Sequence, residues 1–306
     1  PSTKLSGRHT ACTRQSMPLA LLLAGALLLQ LGGAGATNAT LQMLPLTGRA
    51  RCLDGTAAGV YIRETQPGAD WIISIDGGGW CYNETNCYDR SLMDLGSSKN
   101  WPSSRSGADV TADDCTQNPT FCNFNYAAIP YCDGMSQLGS RDDPIIFANT
   151  TFSTKLWARG LDNLQETLAL LLSMTSLKSA KQVVVTGCSA GGLSTYLHLD
   201  RIAGVLSPST RVAGIGDAGF FVDVPTVANE YWFREILEYY YPMHNATAGS
   251  RPECLADRPK ELAWQCSTGP VAVSYLRHPA FLVQVCSLSS LSSSLILSAF
   301  LNSNKR

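Results

Sequence analysis

The run Gln182-Val-Val-Val185 passes directly into Thr186-Gly-Cys-Ser-Ala-Gly-Gly192, and this junction leaves the chain few folds to choose from. A short β-branched apolar run reads as a buried strand, and glycines on both sides of a serine let the backbone turn sharply into the next element. That next element carries Leu193, Leu197 and Ile202 and reads as a helix. Four more short apolar runs, 71–75, 126–129, 212–215 and 280–285, are bounded by Gly, Pro or Asp and read as further buried strands. Between the second of these and the junction, Trp157, Leu161, Leu164, Leu168 and Leu171 recur on one face of a helix. Strands alternating with helices predict an α/β protein whose mostly parallel sheet is covered by helices on both faces.

The junction also carries chemistry. Gly187-Cys-Ser-Ala-Gly191 fits G-x-S-x-G, the elbow that holds a serine hydroxyl exposed at the apex between strand and helix. Ser189 is the candidate nucleophile, and the amide after it, that of Ala190, points at a developing oxyanion near a helix N-terminus. A second glycine element, Asp76-Gly-Gly-Gly-Trp-Cys81, comes after the run at 71–75. Such a loop lets backbone N–H groups approach a tetrahedral intermediate to hydrogen-bond distance. No Lys-Ser/Thr succeeds the glycines and G-x-G-x-x-G is absent, which argues against nucleotide binding.

Composition places the chain. The apolar run 18–31, preceded by Lys4, Arg8 and Arg14 and followed by Ala34-Gly-Ala36, reads as a secretory signal peptide with Met17 as initiator. The first residue, Pro1, then reads as a fragment or as translation from upstream of the start. Eleven cysteines fit an oxidising compartment. Cys12 precedes the signal, Cys188 adjoins the serine, and Cys52, Cys81, Cys87, Cys115, Cys122, Cys132, Cys254 and Cys266 form an even set, with Cys286 left over. No C-x-x-C pair is present, so no metal is expected. Sequons at Asn38, Asn83, Asn149 and Asn245 agree with export. A net charge of −1 gives no reason to expect nucleic acid. The expected organisation is a leader over 1–36, an enzyme-like domain over 37–285 and a divergent serine-rich tail over 286–306. Within the domain, residues 86–125, rich in Ser, Asp, Asn and Cys, read as a disulfide-pinned loop excursion over the carboxyl ends of the strands.

A serine nucleophile needs a base, and the four histidines offer none that convinces. His9 lies ahead of the secretory signal. His198 is nine residues past the nucleophile, roughly 13 Å along a helix axis, and is expected to pack or cap near the helix end. His244 adjoins the sequon Asn245-Ala-Thr247 and is expected to be exposed. His278 precedes Pro279 at the start of a strand, the wrong end of a parallel sheet. Asp217 and Asp223 are candidates for orienting a histidine, and capping of the adjacent turn is an equal alternative for Asp217.

Taken in order, Cys52-Leu-Asp-Gly55, Asp76-Gly-Gly-Gly-Trp-Cys81, Cys87-Tyr-Asp-Arg90, Gly96-Ser-Ser98, Asn118-Pro119, Tyr131-Cys-Asp-Gly134, Gly187-Cys-Ser-Ala-Gly-Gly192 and Asp217-Ala-Gly-Phe-Phe-Val-Asp223 resemble the pectin acetylesterase/Notum family over roughly residues 46–285. Cysteine ahead of the serine looks more like the plant-type pectin acetylesterases. The resemblance implies a secreted serine carboxylesterase with an α/β-hydrolase-like core and no cofactor. Ser189 would be the nucleophile, and Gly78, Gly79 and Ala190 the oxyanion donors. The implied partner is an acetylated polysaccharide such as pectin or, in the Notum branch, a lipid ester on a protein. The implied molecule is a monomer, extracellular or in the cell wall, off the membrane once its signal is removed.

The sequence departs from the family at two places. Asp76 stands where the family commonly has Glu. The family's triad acid comes after the strand matching 280–285 in a Tyr-Asp pair, with the histidine later still, and here that strand runs into Cys286-Ser-Leu288. Neither acid nor base is therefore assigned to any residue. A frame or splicing difference and a catalytically inactive glycan- or lipid-binding homologue are the two competing explanations. The second would use the aromatics Tyr82, Tyr88 and Trp101, expected to be exposed around the cleft.

Overall fold

The computed structural model describes residues 38–287 and 294–301, so the leader, Met17, Cys12 and His9 lie outside the described residues. Among the described residues there are eleven strands: β1 Ala39–Met43, β2 Gly59–Arg63, β3 Trp71–Ile75, β4 Ser104–Arg105, β5 Asn125–Ile129, β6 Ile145–Ala148, β7 Ser153–Leu156, β8 Gln182–Cys188, β9 Arg211–Asp217, β10 Ala280–Ser287 and β11 Ser294–Leu301. The principal helices are α1 Glu84–Ser91, α2 Gly160–Met174, α3 Ala190–Gly204 and α4 Trp232–Met243.

Nine strands make one sheet in the order β11-β10-β9-β8-β3-β5-β2-β1-β4, and β6 and β7 form a separate hairpin. The block β10-β9-β8-β3-β5 is parallel. β2, β1 and β4 extend it antiparallel on one side, and β11 pairs antiparallel with β10 on the other. All five apolar runs expected to be strands are strands of the parallel block, and they are the near-continuously apolar segments that such burial selects. From β3 the chain moves to β5 on one side, then returns to β8 on the other. That reversal opens a crevice at the carboxyl ends of β3 and β8, where ligands bind in open α/β sheets.

Alternation sorts the side chains of the sheet. Trp71, Ile73, Ile75, Val183 and Val185 share the main core with Leu164, Leu168 and Leu171 of α2 and Leu193, Tyr196 and Leu197 of α3. Ile72, Tyr126 and Ala128 turn to the opposite face and join Ala39 and Tyr61 in a smaller cluster. Helix α2 starts at Gly160 rather than at Trp157. The Trp157 amide instead donates to Leu53 O at 2.9 Å, and the Arg51 and Arg159 guanidiniums lie over its ring, so this tryptophan is held outside the helix.

The eight cysteines of the even set pair as Cys52–Cys132, Cys81–Cys87, Cys115–Cys122 and Cys254–Cys266. Cys188 is disulfide-bonded as well. With 80 residues between its ends, the Cys52–Cys132 bond removes about 4.5 kcal/mol of unfolded-chain entropy in the loop-closure account. The excursion over 86–125 does pass the carboxyl end of β3, where Arg105 pairs with Asp76 through Nη1 and Nη2 at 2.6 and 3.0 Å.

Candidate active site

Ser189 sits between β8 and α3 with φ 58° and ψ −124°. A side-chain-bearing residue held on the positive-φ side costs of order 1–3 kcal/mol, so the surroundings must impose the turn. They do so through backbone bonds on both sides. The Ser189 N–H donates to Asp217 O at 2.8 Å, and the Leu193 N–H donates to Ser189 O at 3.0 Å. The serine is thereby lashed to the end of β9 and to the first turn of α3.

The glycine loop lies directly against this elbow. Ile75 is opposite Gly187 in the parallel register, so residues 76–80 and 189–191 leave the sheet side by side. A Cβ at Gly77 would collide with the carbonyl oxygen of Cys188, and one at Gly191 with that of Ile75. Both glycines are required by this backbone-to-backbone approach. Among the described residues no protein acceptor takes the N–H of Gly78, Gly79 or Ala190.

Behind the elbow, Trp80 Nε1 donates to Ser136 Oγ at 2.9 Å, and Ser136 Oγ donates to Ala190 O at 2.9 Å. Ser136 and its neighbour Gln137 both have positive φ, 51° and 55°. Their turn is held by the buried Asp133, whose Oδ2 accepts the N–H groups of Met135 and Gln137 at 3.0 and 2.9 Å. Burial raises the Asp133 carboxyl to about 6, against the opposing pull of those hydrogen bonds. Trp80 also meets Phe221 edge-on at 4.6 Å and lies 5.6 Å from Phe233, so the wall beside the glycine loop is apolar.

The three described histidines are all occupied elsewhere. His198 is buried in the middle of α3, not at its end, and Nε2 donates to Ser136 O at 3.1 Å. Burial lowers it to about 3. His244, expected to be exposed, is fully buried, with Nε2 3.3 Å from Cys81 O, and burial lowers it to about 4. The sequon beside it does not expose it because Asn245 itself turns outward in a left-handed conformation while His244 turns under the Cys81–Cys87 bond. His278 Nδ1 meets Asp200 Oδ1 at 2.7 Å, below the start of β10. Asp223 is taken by Arg234 at 2.8 Å. Asp217 contributes its carbonyl to the elbow, and its carboxyl is raised by burial and by Asp109. Among the described residues no histidine is hydrogen-bonded to Ser189 Oγ.

The aromatics expected around the cleft separate in the structure. Tyr82 is exposed, but Tyr88 stacks on Phe147 at 4.4 Å. Trp101 packs against the cluster of Leu44, Ala50 and Cys52, with Nε1 donating to Asp94 O at 3.2 Å. Each of these two rings is partly buried against apolar residues distant in sequence. Cys81, Cys87 and His244 bring ligand-type atoms within 4.8 Å of one another, but the two sulfurs are bonded to each other and offer no thiolate for a metal.

A serine elbow facing a glycine loop at the switch point of a parallel sheet is an arrangement that esterases use, and the comparison with known proteins gives the family. A profile of the family described as Pectinacetylesterase matches residues 35–295. The chain belongs to the pectinacetylesterase family. It is 32% identical over 234 residues to pectin acetylesterase 5 of Arabidopsis thaliana, covering 76% of this chain and 53% of that one. It is 31% identical over 257 residues to the palmitoleoyl-protein carboxylesterase NOTUM of Mus musculus, covering 76% and 47%. The structure of the Wnt deacylase Notum from Drosophila superposes with a TM-score of 0.71 at 26% identity, covering 81% of this chain and 71% of that one. This pectinacetylesterase chain thus has the Notum-like α/β-hydrolase fold, and it spans about half the length of the curated relatives it matches.

Proposed function

We propose that the protein is a secreted serine carboxylesterase that removes O-acetyl groups from pectin or a similar cell-wall polysaccharide. The observation that carries this reading is the conformation of Ser189, held at positive φ at the mouth of the β3/β8 crevice with the glycine loop packed against it. Ser189 Oγ would attack the ester carbonyl and lose its proton to a base. The tetrahedral oxyanion would sit on the N–H groups of Gly78, Gly79 and Ala190, and the sugar hydroxyl would leave with a proton. Water would then hydrolyse the acetyl-serine. Within the described residues the base has no candidate, since each histidine is committed elsewhere. The disulfides Cys52–Cys132, Cys81–Cys87, Cys115–Cys122 and Cys254–Cys266 support an extracellular setting. Treatment of the full-length protein with a fluorophosphonate probe, with mass spectrometry of the product, is expected to place the label on Ser189, and an unlabelled Ser189 would end this reading.

The apolar wall of Trp80, Phe221 and Phe233 favours a second substrate, a longer acyl ester such as one carried by a protein. A series of aryl esters running from acetyl to palmitoyl separates the two. Turnover peaking at acetyl supports the polysaccharide reading, and turnover peaking at long chains supports the lipid ester.

A further inference from the structure

The glycine loop is gripped through its carbonyls. Arg90, near the end of α1, donates through Nη1 to Gly78 O at 2.7 Å and through Nη2 to Trp80 O at 3.2 Å. Between them, the Tyr131 hydroxyl donates to Gly79 O at 2.6 Å. Three successive carbonyls are therefore each fixed by a side chain. In a planar trans peptide the N–H of the next residue points the opposite way. Fixing Gly78 O thus fixes Gly79 N–H, and fixing Gly79 O fixes Trp80 N–H. Among the described residues neither N–H has a protein acceptor.

Arg90 is itself unusual. It is buried, and its hydrogen-bond acceptors among the described residues are these two carbonyls, with no carboxylate in ion-pair contact. Burying a guanidinium without a carboxylate partner is expensive, so the fold has a reason to keep the charge there. The Cys81–Cys87 bond ties the end of the loop to α1, and Asn83 caps that helix by accepting the Asn86 N–H at 2.8 Å. Tyr131 also accepts the Ser136 N–H at 3.1 Å, which joins the grip to the turn that holds Ala190 O.

We propose that Arg90, assisted by Tyr131, is the positioning residue of the oxyanion hole. It orients the Gly78–Gly79 peptide so that the Gly79 N–H faces the space over Ser189. Its charge polarises that peptide, which strengthens the N–H as a donor. Arg90 touches neither substrate nor Ser189. The proposal rests on the esterase reading and adds to it a residue that the reading does not require.

The test compares the full-length protein with R90M, R90K and Y131F. Each is assayed for turnover of a short aryl ester and for the rate of fluorophosphonate labelling at Ser189. Rates are expressed per folded molecule, with folding read by circular dichroism well below the melting temperature. R90M is expected to lower kcat and the labelling rate roughly 10- to 100-fold while KM stays within about twofold. R90K keeps a charge but not the fork, and should recover part of the loss. Y131F should lose severalfold. If R90M does not fold, R90K and Y131F carry the comparison. Unchanged rates per folded molecule, or an R90K no better than R90M, would overturn the proposal. A wild-type protein that neither turns over ester nor labels overturns the esterase reading itself, before any variant is compared.

Discussion

Replacing Asp133 by asparagine should make the protein less sensitive to rising pH. Asp133 is buried, its Oδ2 accepts two backbone N–H groups, and its Oδ1 has no partner among the described residues. Burial raises its carboxyl from 3.8 to about 6. A carboxyl with a raised folded-state pKa stabilises fully below the unfolded value, and that contribution is lost as pH rises through the folded value. The whole effect is worth about 3 kcal/mol, and integration between about pH 5 and pH 7.5 leaves about 1 kcal/mol lost over that window. Asparagine can accept the same two N–H groups through its oxygen and carries no charge at any pH. The measurement is urea denaturation of wild type and D133N at about pH 5, 6 and 7.5. The stability of D133N relative to wild type should rise by about 1 kcal/mol across the series. A gap constant to within about 0.5 kcal/mol would show that the buried carboxyl is not the titrating group and would refute the argument.

The same geometry sets three other outcomes. His198 and His244, lowered by burial to about 3 and about 4, have folded values below their unfolded 6.5, so their contribution is present above 6.5 and lost as pH falls. At about pH 5 the two together should cost about 4 kcal/mol against the roughly 1 kcal/mol that Asp133 returns, so denaturation midpoints should fall on acidification. Gly191→Ala should abolish fluorophosphonate labelling and destabilise by about 2–4 kcal/mol in urea, because its Cβ would press on Ile75 O, a backbone atom that cannot move aside. Trp101→Ala should lower stability by about 3 kcal/mol while leaving the labelling rate of the folded protein unchanged, since the ring packs on the Leu44–Cys52 cluster and not in the crevice.

The parallel block was legible because its strands are buried on both faces. Continuous apolar runs such as Trp71-Ile-Ile-Ser-Ile75 stand out against any background. The antiparallel extension was not legible. In Ala39–Met43 only Ala39 is buried, and Ser104–Arg105 is two residues long, so neither carries a period distinguishable from loop. In the hairpin, β6 is an apolar run of only four residues with alternating burial, and its partner β7 is mostly polar, with Leu156 its one buried residue. Ser189 and the glycine loop stood out in the sequence because the turn and the close backbone approach demand glycine at fixed places. His244 was misplaced because a sequon constrains only its own asparagine, here Asn245, and says nothing about which way the preceding residue turns.

The supporting residues escaped for a different reason, one that bears on how such sites are built. Arg90, Tyr131 and Asp133 act on backbone atoms, and a side chain that bonds a carbonyl or an amide leaves no requirement on the residue type it bonds. All three stand in motifs that could be quoted, Cys87-Tyr-Asp-Arg90 and Tyr131-Cys-Asp-Gly134, yet nothing in those motifs shows that they reach Gly78, Gly79 and Gln137. The elbow needs this support. Ser189, Ser136 and Gln137 all hold positive φ, and three strained residues within one hydrogen-bonded cluster together cost about 3–9 kcal/mol. That energy must be supplied by groups lying outside the motif: the Asp217 carbonyl, the Asp133 carboxyl and the Ser136 bridge between Trp80 and Ala190. The proposed nucleophile can therefore be picked out from one short stretch, Thr186 to Leu193, whereas the conformation that would make it reactive is distributed over three segments, 76–91, 131–137 and 186–217, that only the fold brings together.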